Sequence, residues 1–132
     1  IQALDGQPLH SYKEVVFCGL GEPLLRLEVV KQVAAHLKQK GCAIRVNTNG
    51  QANLIYGRNI APELAGLVDS ISISLNSSTA ERYNDLCRPR FGPDTFHSIL
   101  EFIRECKKSV PRVAVTALDL DAGELEACRK LA

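Results

Sequence analysis

The runs Ile44-Arg45-Val46-Asn47-Thr48-Asn49 and Ser70-Ile71-Ser72-Ile73-Ser74-Leu75-Asn76 decide the fold of this chain. Both alternate apolar and polar residues with the period of a strand. In the first, Ile44, Val46 and Thr48 share one face and Arg45, Asn47 and Asn49 the other. In the second, Ile71, Ile73 and Leu75 oppose Ser72, Ser74 and Asn76. Two further β-rich runs flank them, at 14–18 and 113–118. Helical patterns lie between the runs. The segment 24–40 places Leu27, Val30, Ala34 and Leu37 on one stripe, and Gly41 ends it. A polar loop is expected to 59, then a short helix over 60–67 with Pro62 in its first turn. Ser78 and Glu81 form a capping-box pattern for a helix over 79–87. Phe96, Ile99, Leu100 and Ile103 stripe another over 93–108, and Asp121 and Glu124 open a last one. Residues 1–13 read as a linker or the tail of a preceding helix.

Strands alternating with helices predict a parallel sheet with right-handed crossovers. Parallel strands are usually apolar on both faces, and these are not. One explanation is a half-solvated antiparallel sheet, but the intervening helices oppose it. The other is a parallel sheet whose polar face lines a ligand cavity near the carboxyl ends of the strands.

Size and charge narrow the field. At 132 residues the chain can bury about 70% of its unfolded surface, enough for one core. A complete (β/α)8 barrel needs about 250 residues, so only part of one fits. The 16 basic and 15 acidic residues nearly cancel, which leaves no footprint for nucleic acid. No run is long and apolar enough for a membrane span. The five cysteines, Cys18, Cys42, Cys87, Cys106 and Cys128, are odd in number and scattered. That pattern suits a reduced, cytoplasmic protein. Cys106 and Cys128 fall in helical patterns and read as packing thiols. Cys18, where a strand opens into a loop, is open to a structural or a reactive role.

That loop is the sharpest segment: Val16-Phe17-Cys18-Gly19-Leu20-Gly21-Glu22-Pro23-Leu24-Leu25. Glycines let the backbone turn and approach a ligand, and Pro23 stiffens the exit. A carboxylate at Glu22 suits an ammonium group, not a phosphate. Glu22 is equally placed to complement the dipole of the following helix.

Gly19-Leu20-Gly21-Glu22-Pro23 resembles the GGEP motif of radical S-adenosylmethionine (SAM) enzymes. Val46-Asn47-Thr48-Asn49-Gly50 resembles the TNG segment of their third strand, and 71–76 their fourth. Residues 14–118 are similar to the barrel segment from strand two to strand five. With Leu54-Ile55-Tyr56-Gly57-Arg58 and Cys87-Arg88-Pro89, the chain looks most like the radical SAM proteins associated with the TatD family. The resemblance implies an α/β fold, a partial TIM-type barrel of four parallel strands in sequential order, spanning 1–132. It implies that Gly21, Glu22 and Pro23 bind the methionine amino group of SAM and that Asn47 bonds the ribose. Ser74 and Asn76 would contact ribose or the methionine carboxylate, Thr116 and Ala117 would lie near the adenine, and Asn49 belongs to the same set.

The family's four-iron, four-sulfur cluster is held by a CxxxCxxC loop after the first strand, and no such triplet occurs here. The chain therefore reads as a piece of a longer enzyme. The parent would cleave SAM reductively to a 5′-deoxyadenosyl radical, while this piece alone would be inactive, with no metal ligands and no catalytic residue of its own. Two other classes stay open: a plain α/β module binding a small ligand, and an interaction module that self-associates through open sheet edges. Arg58, Arg88 and Arg90 are open to an anionic substrate or to solvent. His10, His36 and His97 are not placed as catalytic bases.

Overall fold

The computed structural model describes residues 14–19, 21–76, 79–87, 89 and 91–117. Four strands form one parallel sheet in the order β1 (Val15–Phe17), β2 (Ile44–Thr48), β3 (Ser70–Asn76) and β4 (Arg112–Ala117). The register pairs Phe17 with Val46, Val46 with Ile71, and Ile71 with Val113. Sequential order with parallel pairing is the arrangement of a partial TIM-type barrel.

Helices cover one face. α1 (Leu27–Gln39) buries Leu27, Val30, Ala34 and Leu37, the stripe its sequence predicts. Each buried leucine or valine contributes about 1.5–3 kcal/mol by leaving water. The Gly41 N–H donates to Lys38 O at 3.0 Å and the Cys42 N–H to Leu37 O at 3.1 Å, which closes α1 in a Schellman motif. α4 (Thr95–Ser109) buries Phe96, Ile99, Phe102, Ile103 and Cys106 and leaves Leu100 half-buried. These side chains meet Ile44, Val46, Ile71, Ile73 and Leu75 in one core. Burial raises the Cys106 thiol to about 12, so it packs rather than reacts. The opposite face carries Arg45, Asn47, Ser70, Ser72, Ser74 and Thr116, all partly or fully open to solvent.

Asp69 ties the lower end of the sheet to α1. Its carboxylate accepts from Lys38 Nζ at 2.8 Å and from the Ile44 N–H at 2.7 Å. Burial alone would raise its pKa, but these two partners outweigh burial and hold it below the ordinary value.

Several expectations need correction. The helix expected over 24–40 is two elements: a 3-10 turn, Pro23–Arg26, then α1. The loop expected before 59 contains α2 (Ala52–Tyr56), and the helix expected over 60–67 shrinks to a 3-10 turn, Ala61–Leu64. α3 (Ala80–Cys87) occupies its expected place. The cap at Ser78, Arg88, Arg90, His10, Cys128, residues 1–13 and the helix opening at Asp121 lie outside the described residues.

Candidate functional site

The loop from β1 brings Glu22 to the carboxyl end of β2. Glu22 is the N-cap of the turn Pro23–Arg26, and its Oε1 accepts from the Leu24 N–H at 3.2 Å. The same oxygen accepts from the Thr48 hydroxyl, and Oε2 accepts from the Asn49 N–H at 2.7 Å. Of the two readings of Glu22, the structure shows the one at the start of the following element, here a 3-10 turn. Glu22 caps the turn, and it also laces the β1 loop to the next strand. Pro23 follows at the first position of the turn, where a missing N–H costs nothing.

Gly19 and Gly21 are exposed, and a Cβ on either would meet open space. Neither sits in the left-handed region. Their contribution is bare backbone beside a carboxylate, not a special turn. Gly50 is the glycine that the geometry demands. Its φ is +80°, and a Cβ there would lie 2.9 Å from methyl groups of Ile73 and Ile99. Its N–H donates to Thr48 Oγ1 at 3.1 Å, so Thr48, on the buried face, serves Glu22 and the β2 exit together.

The remaining site residues fall in two groups. Asn47 lies on the polar face beside Ser72 in the register. Its Oδ1 is buried and finds no hydrogen-bond partner among the described residues. A buried acceptor without a donor costs about 1–3 kcal/mol, so a ligand hydroxyl there would recover that loss. Ser74 pairs with Thr116 across β3 and β4, and the Thr116 hydroxyl donates to Ser74 Oγ at a long 3.5 Å. Asn76 ends β3 at φ +69°, past an irregularity in the β3–β4 register. Asparagine tolerates that conformation better than most residues. Its amide donates to Cys87 Sγ of α3 at 3.4 Å. Asn49 is engaged locally, its Oδ1 accepting from the Gln51 N–H at 3.0 Å as α2 begins.

The β1 loop thus brings Glu22 to the carboxyl end of β2, at Thr48 and Asn49, and the sheet brings Asn47, Ser74 and Thr116 to one polar face. It does not bring Asn76 to Ser74; that side chain turns to α3. A hollow of about 370 Å³ lies against the β1 loop, lined by Phe17, Cys18, Gly21, Glu22, Pro23 and Val29 among others. It does not extend to Asn47, Ser74 or Thr116. Cys18 is exposed at its rim.

Two supporting side chains escaped the sequence reading. Gln51 Nε2 donates to the Tyr83 hydroxyl at 3.0 Å and joins the β2 exit to α3. Burial raises the Tyr83 pKa and the Gln51 bond partly opposes it. Tyr56 bonds across to the turn after Glu22. Arg58, open to an anionic ligand in sequence, is engaged by Glu63 at 3.1 Å and stands 5.3 Å over the Tyr56 ring. The Arg58 bond, with a second from Lys31, holds the Glu63 carboxyl below its ordinary pKa. His97 is exposed on α4, edge-on to Phe96. His36 lies in the last turn of α1.

A parallel α/β sheet with one helix-covered face and one polar face, and a Gly-Glu-Pro turn at the carboxyl end of its strands, is the architecture of a partial (β/α) barrel. The family model described as the Radical SAM superfamily matches residues 6–127. The chain belongs to that superfamily. It is also 35% identical over 101 residues to Uncharacterized protein MJ0804 of Methanocaldococcus jannaschii. That match covers 76% of this chain and 33% of the relative, so the chain spans about a third of the relative's length. No solved structure matches significantly.

Membership implies SAM and an iron–sulfur cluster. The residues fit the first: an orphaned Asn47 acceptor, bare glycine backbone and a carboxylate lie at the carboxyl ends of β1 and β2. They do not fit the second. Cys18, Cys42, Cys87 and Cys106 are unpaired thiols on separate elements, and no three His, Cys, Asp or Glu gather as a metal site among the described residues. Among the described residues, too, no helix is long and apolar enough to cross a membrane.

Proposed function

We propose that this chain is the SAM-binding part of a radical SAM enzyme of the TatD-associated kind. The observation that carries the reading is the partnerless Asn47 Oδ1 on the polar sheet face, beside a loop that Glu22 anchors. Asn47 accepts a ribose hydroxyl. Gly21, Glu22 and Pro23 present the backbone and carboxylate edge that receives the methionine ammonium. Ser74 serves the ribose or the methionine carboxylate, and Thr116 borders the adenine, while Asn76 and Asn49 are engaged at α3 and at the start of α2. Bound SAM would supply 5′-deoxyadenosyl radical chemistry, which in this family depends on a four-iron, four-sulfur cluster that the described residues do not hold. The thiolates for that cluster belong to a segment of the parent protein outside this chain, which alone cleaves nothing. A cytoplasmic, reducing setting is part of the proposal, supported by the odd, scattered cysteines.

Calorimetric titration of SAM into the protein tests it. Asn47→Ala should weaken binding about tenfold while thermal stability holds or rises, because an uncompensated buried acceptor is removed. Equal affinity in both proteins, or no binding to the wild type, contradicts the reading.

A further inference from the structure

The hydroxyl of Tyr56, on α2, sits at a break in a different element. Its oxygen lies 2.7 Å from Leu24 O and 2.8 Å from Leu25 O, and the Leu27 N–H donates to it at 3.1 Å. A phenol carries one proton and two acceptor sites. It shares that proton between the two carbonyls and accepts from Leu27. In an unbroken helix these backbone groups would find partners along the ladder. Here Arg26 leaves helical geometry, with φ −116° and ψ 57°. The tyrosine hydroxyl takes up the bonds that the break severs. A side chain inserted into the ladder is one of the few established causes of a sharp break.

The break separates two jobs. α1 is bound to the core through its apolar stripe. The turn Pro23–Arg26 carries Glu22 at its cap. We propose that Tyr56 is a positioning residue: its hydroxyl holds the break at Arg26 and so lets the Gly21-Glu22-Pro23 turn take its own direction toward β2. Tyr56 is itself braced. Arg58 lies over its ring, Arg58 bonds to Glu63, and Glu63 accepts from Lys31 of α1 at 3.0 Å. The brace therefore runs from the β2 exit to α1 and back to the Glu22 turn. For its effect on SAM the inference rests on the proposed function; for its effect on Glu22 it does not.

Tyr56→Phe keeps the ring and the Arg58 contact and removes only the hydroxyl. Amide hydrogen exchange by NMR reads two groups in this variant. The Leu27 N–H touches Tyr56 directly, whereas the Asn49 N–H touches Glu22. Both should exchange faster, Asn49 by about tenfold, and the SAM Kd should rise about tenfold. Faster exchange at Leu27 with Asn49 unchanged overturns the inference and leaves Tyr56 as a local strut. If the wild type does not bind SAM at all, the cofactor reading falls, yet the Asn49 amide still decides the role of Tyr56. Should Tyr56→Phe fail to fold, native-state exchange of the wild type in rising denaturant decides instead. A shared opening free energy for Leu27 and Asn49 supports the brace, and two independent openings overturn it.

Discussion

The two ends of the polar edge are built in opposite ways. At the β1–β2 end, the Glu22 carboxylate takes three donors, from Leu24, Thr48 and Asn49. At the β3–β4 end, Ser74 and Thr116 meet only at 3.5 Å, and Asn76 gives its amide to a sulfur. At the first end the Glu22 turn is held in place without a ligand, although Asn47 Oδ1 on the same β2 is left without a partner among the described residues. The second end keeps hydrogen-bonding capacity in reserve. On the proposed function, the Glu22 turn orients the amino end of SAM, and the open hydrogen-bonding capacity of Asn47, Ser74 and Thr116 adds affinity.

Substitutions at the two ends should therefore separate stability from affinity. The largest stability loss belongs to Gly50→Ala, which combines a left-handed φ with a crowded Cβ against Ile73 and Ile99. We expect about 3 kcal/mol, read as a lowered urea midpoint. A loss below about 0.5 kcal/mol would mean that the β2 exit relaxes freely, and the first end would not be rigid. Glu22→Gln comes next. Whichever way its amide turns, its NH2 meets an N–H donor, that of Asn49 or that of Leu24, and about 2 kcal/mol should go.

Acid acts on a smaller scale. Asp69 has a lowered folded pKa, so its contribution is present above the ordinary carboxylate value and disappears as pH falls through the lowered one. Urea midpoints measured from neutral pH downward should decline below about pH 4. Asp69→Asn should flatten that decline at a cost of about 1 kcal/mol at neutral pH. An unchanged acid profile in this variant would remove Asp69 from the account. The smallest stability effects belong to Ser74→Ala and Thr116→Val, within about 0.5 kcal/mol, while each weakens SAM binding. Equal stability losses at both ends would dissolve the comparison.

Much of the fold was legible because its signals are local. The stripe Leu27, Val30, Ala34 and Leu37 needs only the helical period, and the alternation at 44–49 and 70–76 needs only the strand period. The break at Arg26 was not legible, because its cause is a hydroxyl on Tyr56, in an element the sequence read as loop. α2 was missed for a related reason. It is one short turn whose start depends on the Asn49 side chain and whose end is tied by Tyr56 to a distant carbonyl. The polar face was visible in the alternation. Which oxygen on it lacks a partner was not, because that depends on how closely neighbouring strands cover Asn47.

The central claim is that SAM lies across the polar face with its amino end at the Glu22 turn. NMR mapping of backbone amides during SAM titration tests it most directly. The account predicts saturable shifts at Gly21, Glu22, Asn49, Ser74 and Thr116, with amides of α4 on the opposite face unmoved. Shifts confined to the helix-covered face, or none at all, would contradict it.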